Sequence, residues 1–124
     1  MTVARASPHG PHALISAGRV EGTAIYNPSG EKLGYVQDVM LHKETGRVAY
    51  AVVSVGGFLG IGEKYHPIPW SLLSYDTRRD GYVLPVDRRR LEEARSFAAE
   101  DVGDDDSDWR HEVHAHYNAP AYWM

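Results

Sequence analysis

The sequence predicts a mainly β fold: a small six-stranded antiparallel barrel, closed on itself, with one C-terminal helix and an aromatic tail. Three observations lead there. Six short segments rich in β-branched and aromatic residues fall within about 65 residues, separated by Gly-, Pro- and Asp-bearing turns. Arg47–Val55, the strongest of them, carries one charge at its start and apolar groups on both faces, as a central strand does. Its small Ala49 and Ala51 suit the crowded interior of a small barrel.

Taken in order, residues 1–18 mix Ser, Pro, Gly, Ala and His without a period and read as a flexible arm. Val20–Tyr26 is the first expected strand. Asn27-Pro28-Ser29-Gly30 follows as a turn, with proline presetting its second position and Gly30 its permissive end. Leu33–Leu41 is the second strand, with Tyr35, Gln37, Val39 and Leu41 on one face and Val36, Asp38 and Met40 on the other. A turn at Lys43-Glu44-Thr45-Gly46 leads into Arg47–Val55. After a glycine-rich loop, Lys64–Trp70 is the fourth strand, kept short or at an edge by Pro67 and Pro69. Leu72–Tyr75 and Tyr82–Leu84 complete the set as a hairpin across Asp76–Gly81. Asp87 is placed to cap a helix over Arg88–Ala99, with Val86 and Leu91 as a hydrophobic staple. The domain plan is thus an arm (1–18), a barrel (19–86), a helix (87–100), then an acidic linker with an aromatic, His-containing tail (101–124).

The 124 residues suit one domain, and the 43% apolar content is enough for one core. A net charge of -4 argues against a nucleic-acid partner, because counterion release needs a basic face. The absence of cysteine excludes disulfides, Cys-based zinc sites and thiol catalysis. The longest uncharged apolar stretch, Ala49–Gly62, has four glycines and falls short of the roughly 20 residues a membrane-spanning helix needs. No apolar leader stands out near the start, so membrane insertion is not expected and a cytoplasmic location is.

Three stretches together carry a family likeness: Gly22–Tyr26, Gly30–Leu41 with its Gly-Glu-Lys-Leu-Gly-Tyr-Val-Gln-Asp-Val-Met-Leu run, and Gly46–Val53. With Gly56–Trp70 as the continuation, the chain resembles a stand-alone bacterial PRC-barrel domain over about Val20–Val86. That family includes the cytoplasmic part of the photosynthetic reaction-centre H subunit and the C-terminal half of a ribosome maturation factor, both of which use the barrel to dock proteins. The resemblance implies the barrel and a bias toward protein contacts. Neither relative's specific role carries over, since the membrane helix of one and the companion barrel of the other are not seen here.

The candidate sites divide by chemistry. The glycine loop lacks the spacing and the following helix that phosphate binding needs, so Gly57, Gly60 and Gly62 are structural, like Gly30, Gly34 and Gly46. Phe58, Leu59 and Ile61 on that loop, and Trp109, Tyr117, Tyr122 and Trp123 in the tail, are expected at an interface. The tail is expected to pack on its own barrel or on a second copy, with an exchanged arm as a route to a homodimer. Asp38 is expected to accept backbone N–H groups from a nearby turn. His111, His114 and His116 are weak metal candidates, because His-x-x-His-x-His matches no strong ligand spacing. Arg88, Arg89 and Arg90 read as a solvated face, with a patch for an acidic segment as the alternative. No nucleophile elbow and no paired acids stand out, so the expected function is a non-catalytic module that self-associates and docks an unidentified protein, with no cofactor. The alternatives are a small-ligand or metal-binding barrel, or a ribosome- or RNA-maturation-associated factor.

Overall fold

The computed structural model describes residues 13–56, 64–97 and 109–119. In chain order they form a helical turn α1 (Ala17–Val20), strands β1 (Ala24–Tyr26), β2 (Lys32–Leu41), β3 (Val48–Val55) and β4 (Lys64–Pro69), a 3-10 turn (Trp70–Leu72), strands β5 (Ser74–Asp76) and β6 (Gly81–Val83), and helices α2 (Arg88–Glu92) and α3 (Arg110–Tyr117). The six expected strands are all present, in one sheet of order β4-β3-β2-β1-β6-β5. Pro67 and Pro69 lie in β4, which is an edge strand as expected.

The expected closed antiparallel barrel is corrected in two respects. The sheet is mixed, because β1 pairs with β6 in parallel while the other pairs are antiparallel. It is also not closed, since β4 and β5 end it on opposite sides. Both departures trace to the 3-10 turn. A hairpin after β4 would reverse the chain, but Trp70–Leu72 carries it on, so β4 and β5 run the same way in the sheet. Parallel neighbours need a crossover of about a dozen residues or more, and only residues 70–73 separate these two strands, so they cannot share a ladder. The sheet still curls strongly. The Trp70 ring, just past β4, meets the Tyr82 ring of β6 with centroids 5.2 Å apart. Ile25, Val36, Ala51, Val53, Ile68 and Leu84 are buried among the core residues.

Register decides which face each residue occupies, because antiparallel partners share a face. Val53 lies opposite Val36 and His66, and Ala51 opposite Val39 and Ile68. Tyr50 lies opposite Met40 and Pro69, and Val52 opposite Asp38 and Pro67. The alternation expected for β2 is therefore broken. The register shifts between Val36 and Asp38, which makes Gln37 the extra residue of a bulge. Val36 and Val39 share the face of Val53 and Ala51, and Asp38 and Met40 take the other.

Three boundaries also change. The first strand begins at Ala24 rather than Val20, because Ala17–Val20 forms α1 and Gly22 turns the chain at φ 87°. Gly22 N–H then donates to the Val36 carbonyl at 2.7 Å, seating the chain beside β2. The helix after Asp87 spans Arg88–Glu92 and does not reach Ala99. Its cap is as expected, with Asp87 Oδ1 accepting from Arg90 N–H at 2.8 Å. Beyond it Phe97 exchanges two backbone hydrogen bonds with Tyr65, at 3.0 and 2.9 Å, so the chain satisfies the free edge of β4 instead of continuing as helix. Third, Arg110–Tyr117 in the expected tail is helical.

Candidate interaction surface

The site is built where α3 meets the sheet. The Tyr50 face of β3 is covered by the C-terminal segment: the Tyr50 ring meets Trp109 edge-on at 5.0 Å and His114 at 5.4 Å, and Phe97 meets Trp109 at 6.0 Å. Trp109, Val113, Tyr117 and Ala119 are all buried. Trp109 and Tyr117, expected at an interface, lie inside their own chain at 2% and 6% exposure. Phe58, Leu59, Ile61, Tyr122 and Trp123, with Gly57, Gly60 and Gly62, lie outside the described residues.

Polar pins fasten the same segment. A carbonyl can only accept, so His114 Nδ1–H donates to the Ala119 carbonyl (3.0 Å), and Nε2 accepts from the Tyr50 hydroxyl (2.7 Å). His116 Nε2–H donates to the Arg90 carbonyl at 2.8 Å, while the Arg90 guanidinium donates to the His116 carbonyl. Arg95 pairs with Glu112 at 2.8 Å and lies over the Phe97 ring. Burial raises the pKa of the Tyr117 hydroxyl, with the Arg90 charge pulling it down.

These bonds engage two of the weak metal candidates. His114 uses both ring nitrogens, so neither is a free ligand atom, and His111, one turn before it, is exposed. No group of three or more His, Cys, Asp or Glu able to hold a metal occurs among the described residues. The arginines at α2 lie on an exposed face and are engaged there. Arg88 donates to Glu31 (2.8 Å) and to the Lys32 carbonyl (2.7 Å), Arg89 to Glu93 (3.2 Å), and Arg90 to α3.

The structural residues mostly do what their types imply. Gly30 and Gly46 have φ of 94° and 77°, conformations that favour glycine. At Gly34 a Cβ would lie 2.1 Å from the Ser54 carbonyl oxygen, so β2 and β3 approach too closely there for any side chain. Asp38 is exposed, and its Oδ1 accepts from the adjacent Val39 N–H at 2.8 Å rather than from a turn; the Gln37 bulge places it there.

Among the buried polar residues whose part sequence reasoning missed are Asn27 and His66. Asn27 organises the first turn: its Oδ1 accepts from Glu31 N–H and the Ser29 hydroxyl, and its Nδ2 donates to Glu31 Oε1. An Asn before Pro-Ser-Gly is the signal that could have found it. His66, 1% exposed in β4, carries no such signal, since alternation cannot tell a buried histidine from a surface one. Burial lowers its pKa to about 4, against the raising effect of a hydrogen bond to the Arg95 carbonyl and with small lowering effects of Lys64 and His116.

Among the described residues, four large apolar side chains remain open to water: Leu14, Ile15, Leu41 and Tyr75, with Leu14 93% exposed, Leu41 54% and Tyr75 46%. Leu41 ends β2 and Tyr75 is the middle of β5. No helix among the described residues is long and apolar enough to cross a membrane.

Comparison with known proteins adds two findings. The family model of the PRC-barrel domain matches residues 13–91. The chain is similar to an uncharacterised protein of Deinococcus radiodurans, 30% identical over 80 residues, a stretch that covers 60% of this chain and 29% of that relative. The chain therefore spans less than a third of the length of the curated relative it matches.

Proposed function

The chain belongs to the PRC-barrel domain family, and from that membership we propose that it is a non-catalytic protein-binding module that pairs with a second copy of itself and docks a protein partner. The observation that carries this reading is the set of large apolar side chains left in water by a folded sheet, above all Leu41 and Tyr75. Both sit on strands with fixed backbones, so their exposure belongs to the fold and not to a loose end. Aromatic and aliphatic anchors of this kind form the centre of protein interfaces. The use of the polar groups around α3 also favours binding over chemistry. His114, His116, Arg90 and Arg95 are each engaged in fastening one element to another.

Sedimentation velocity on the full chain over a wide concentration range tests the self-association. The expected result is a monomer–dimer equilibrium that the double variant Leu41→Glu, Tyr75→Ser weakens at least about tenfold, the loss expected when apolar interface anchors are removed. A monomer at every concentration overturns it. Partner docking is tested by crosslinking in the native cell, where the double variant should lose a specific crosslinked protein that the natural chain retains.

A further inference from the structure

We propose that His66 is an acid-operated latch: a proton taken up by its buried imidazole releases the C-terminal strap, Arg95–Phe97 and helix α3, from β4 while β2, β3 and β4 stay paired. The first ground is an orphan nitrogen. His66 is 1% exposed and donates to the Arg95 carbonyl. Its Nδ1 is buried and has no hydrogen-bond partner among the described residues, so Nε2–H is the donor. A second proton has to sit on Nδ1, where it meets no acceptor. The cation is then buried with one of its two donors unpaired, which a packed interior does not tolerate.

The second ground is charge. On β4 itself the charge acting on His66 is Lys64, and on α3 it is His116; both oppose a proton there. Across the ladder β3 presents Val53, which carries no charge. Arg95 offers only its carbonyl, since its guanidinium pairs with Glu112 at 2.8 Å and lies over the Phe97 ring. No carboxylate figures among the groups acting on the imidazole. An imidazolium here is relieved by water alone, so some cover must move to admit it.

The third ground is which cover moves most easily. β4 is paired with β3 along its whole length, from Lys64 to Pro69. Among the described residues, its other edge is held by two backbone bonds, between Tyr65 and Phe97. Beyond them the strap rests on α3, whose eight residues are too few to persist alone in water. The Arg95–Glu112 pair is exposed and contributes little. Burial of Trp109 and Val113, with Trp109 seated against the Tyr50 ring, keeps the strap closed at neutral pH. Release lays the Tyr50 ring open, so acid exposes an apolar face that neutral pH hides.

Amide hydrogen exchange on the full chain, followed by NMR at pH 7.5 and 5.5 and corrected for the pH dependence of exchange itself, tests the latch. The strap reporters are the N–H groups of Tyr65, Phe97 and Val113, which donate to the carbonyls of Phe97, Tyr65 and Trp109; the reference is the β2–β3 ladder. The expected result is strap protection that lies below that of the ladder at both pH values and falls about tenfold on going to pH 5.5, as one proton bound only by the open form requires. His66→Gln, which does not titrate and can still donate to the Arg95 carbonyl, should lose that fall. His66→Leu serves the same comparison where the glutamine variant does not fold. Strap protection that ignores pH overturns the latch. So does protection equal to that of the ladder, because the strap then opens only with the whole fold. A full decline that survives in the variant also overturns it and assigns the acid response to groups other than His66.

Discussion

His66 shows how far a single side chain can set the response of the molecule to acid. Its folded pKa of about 4 lies below the ordinary 6.5 because burial penalises the imidazolium. Between those two values the unfolded chain holds a proton that the folded chain does not. Stability is therefore full above about pH 6.5, falls as the pH drops toward 4, and levels off below it. The shift corresponds to roughly 3 kcal/mol at most. Urea unfolding at pH 7.5, 5.5 and 4 should show this decline in the natural chain and a shallower one in His66→Leu. Equal declines in the two proteins would assign the acid sensitivity to other groups. Glycine chemistry at this scale was legible in the chain, because Gly30 and Gly46 sit in turns with positive φ that their neighbours announce. The crowding at Gly34 and the burial of His66 were not, since each depends on a strand distant in sequence.

Strand β2 carries the clearest case among the elements. A strict period of two puts Val36 and Asp38 on one face, but Gln37 bulges out and separates them. Deleting Gln37 should remove the bulge and leave Asp38 next to Val36, still on the face opposite Val52. No carboxylate is buried, so the deletion should cost less in urea unfolding than the roughly 3 kcal/mol of stranding a buried charge. Gln37→Ala keeps the extra residue and should stay within about 0.5 kcal/mol of the natural chain. A deletion that costs as much as a stranded charge would show that the register past Val36 had slipped and Asp38 had changed face. Helix α2 follows the same logic. Its start was legible from Asp87, because a cap is a local hydrogen bond to Arg90. Its end was not, because Phe97 answers the free edge of β4 rather than its own neighbours.

The molecule as a whole is a rolled sheet completed by a helix that lies beyond the family-matched residues. The two aromatic residues of that segment within the described part, Trp109 and Tyr117, are buried, so the tail serves the core. Trp109→Ala should cost about 3–5 kcal/mol, as removal of a buried aromatic does. It should also lower the helical circular dichroism signal while the sheet signal persists, since α3 cannot stand without its seat. Unchanged stability in this variant would mean that α3 is a surface ornament and contributes nothing to the core.

By itself the amino-acid order determined the number of strands, the turns between them, the capped start of α2 and the need of the tail's aromatics for cover. Each of these rests on interactions within a few residues, where alternation, positive φ and capping act directly. The tertiary structure alone decided that β6 runs parallel to β1, that the sheet stays open, that Asp38 faces out and that His114 bonds Tyr50. Those outcomes depend on which distant segments meet and in what register. One short 3-10 turn reverses the parity of every later strand, and one bulged residue exchanges the faces of those that follow it.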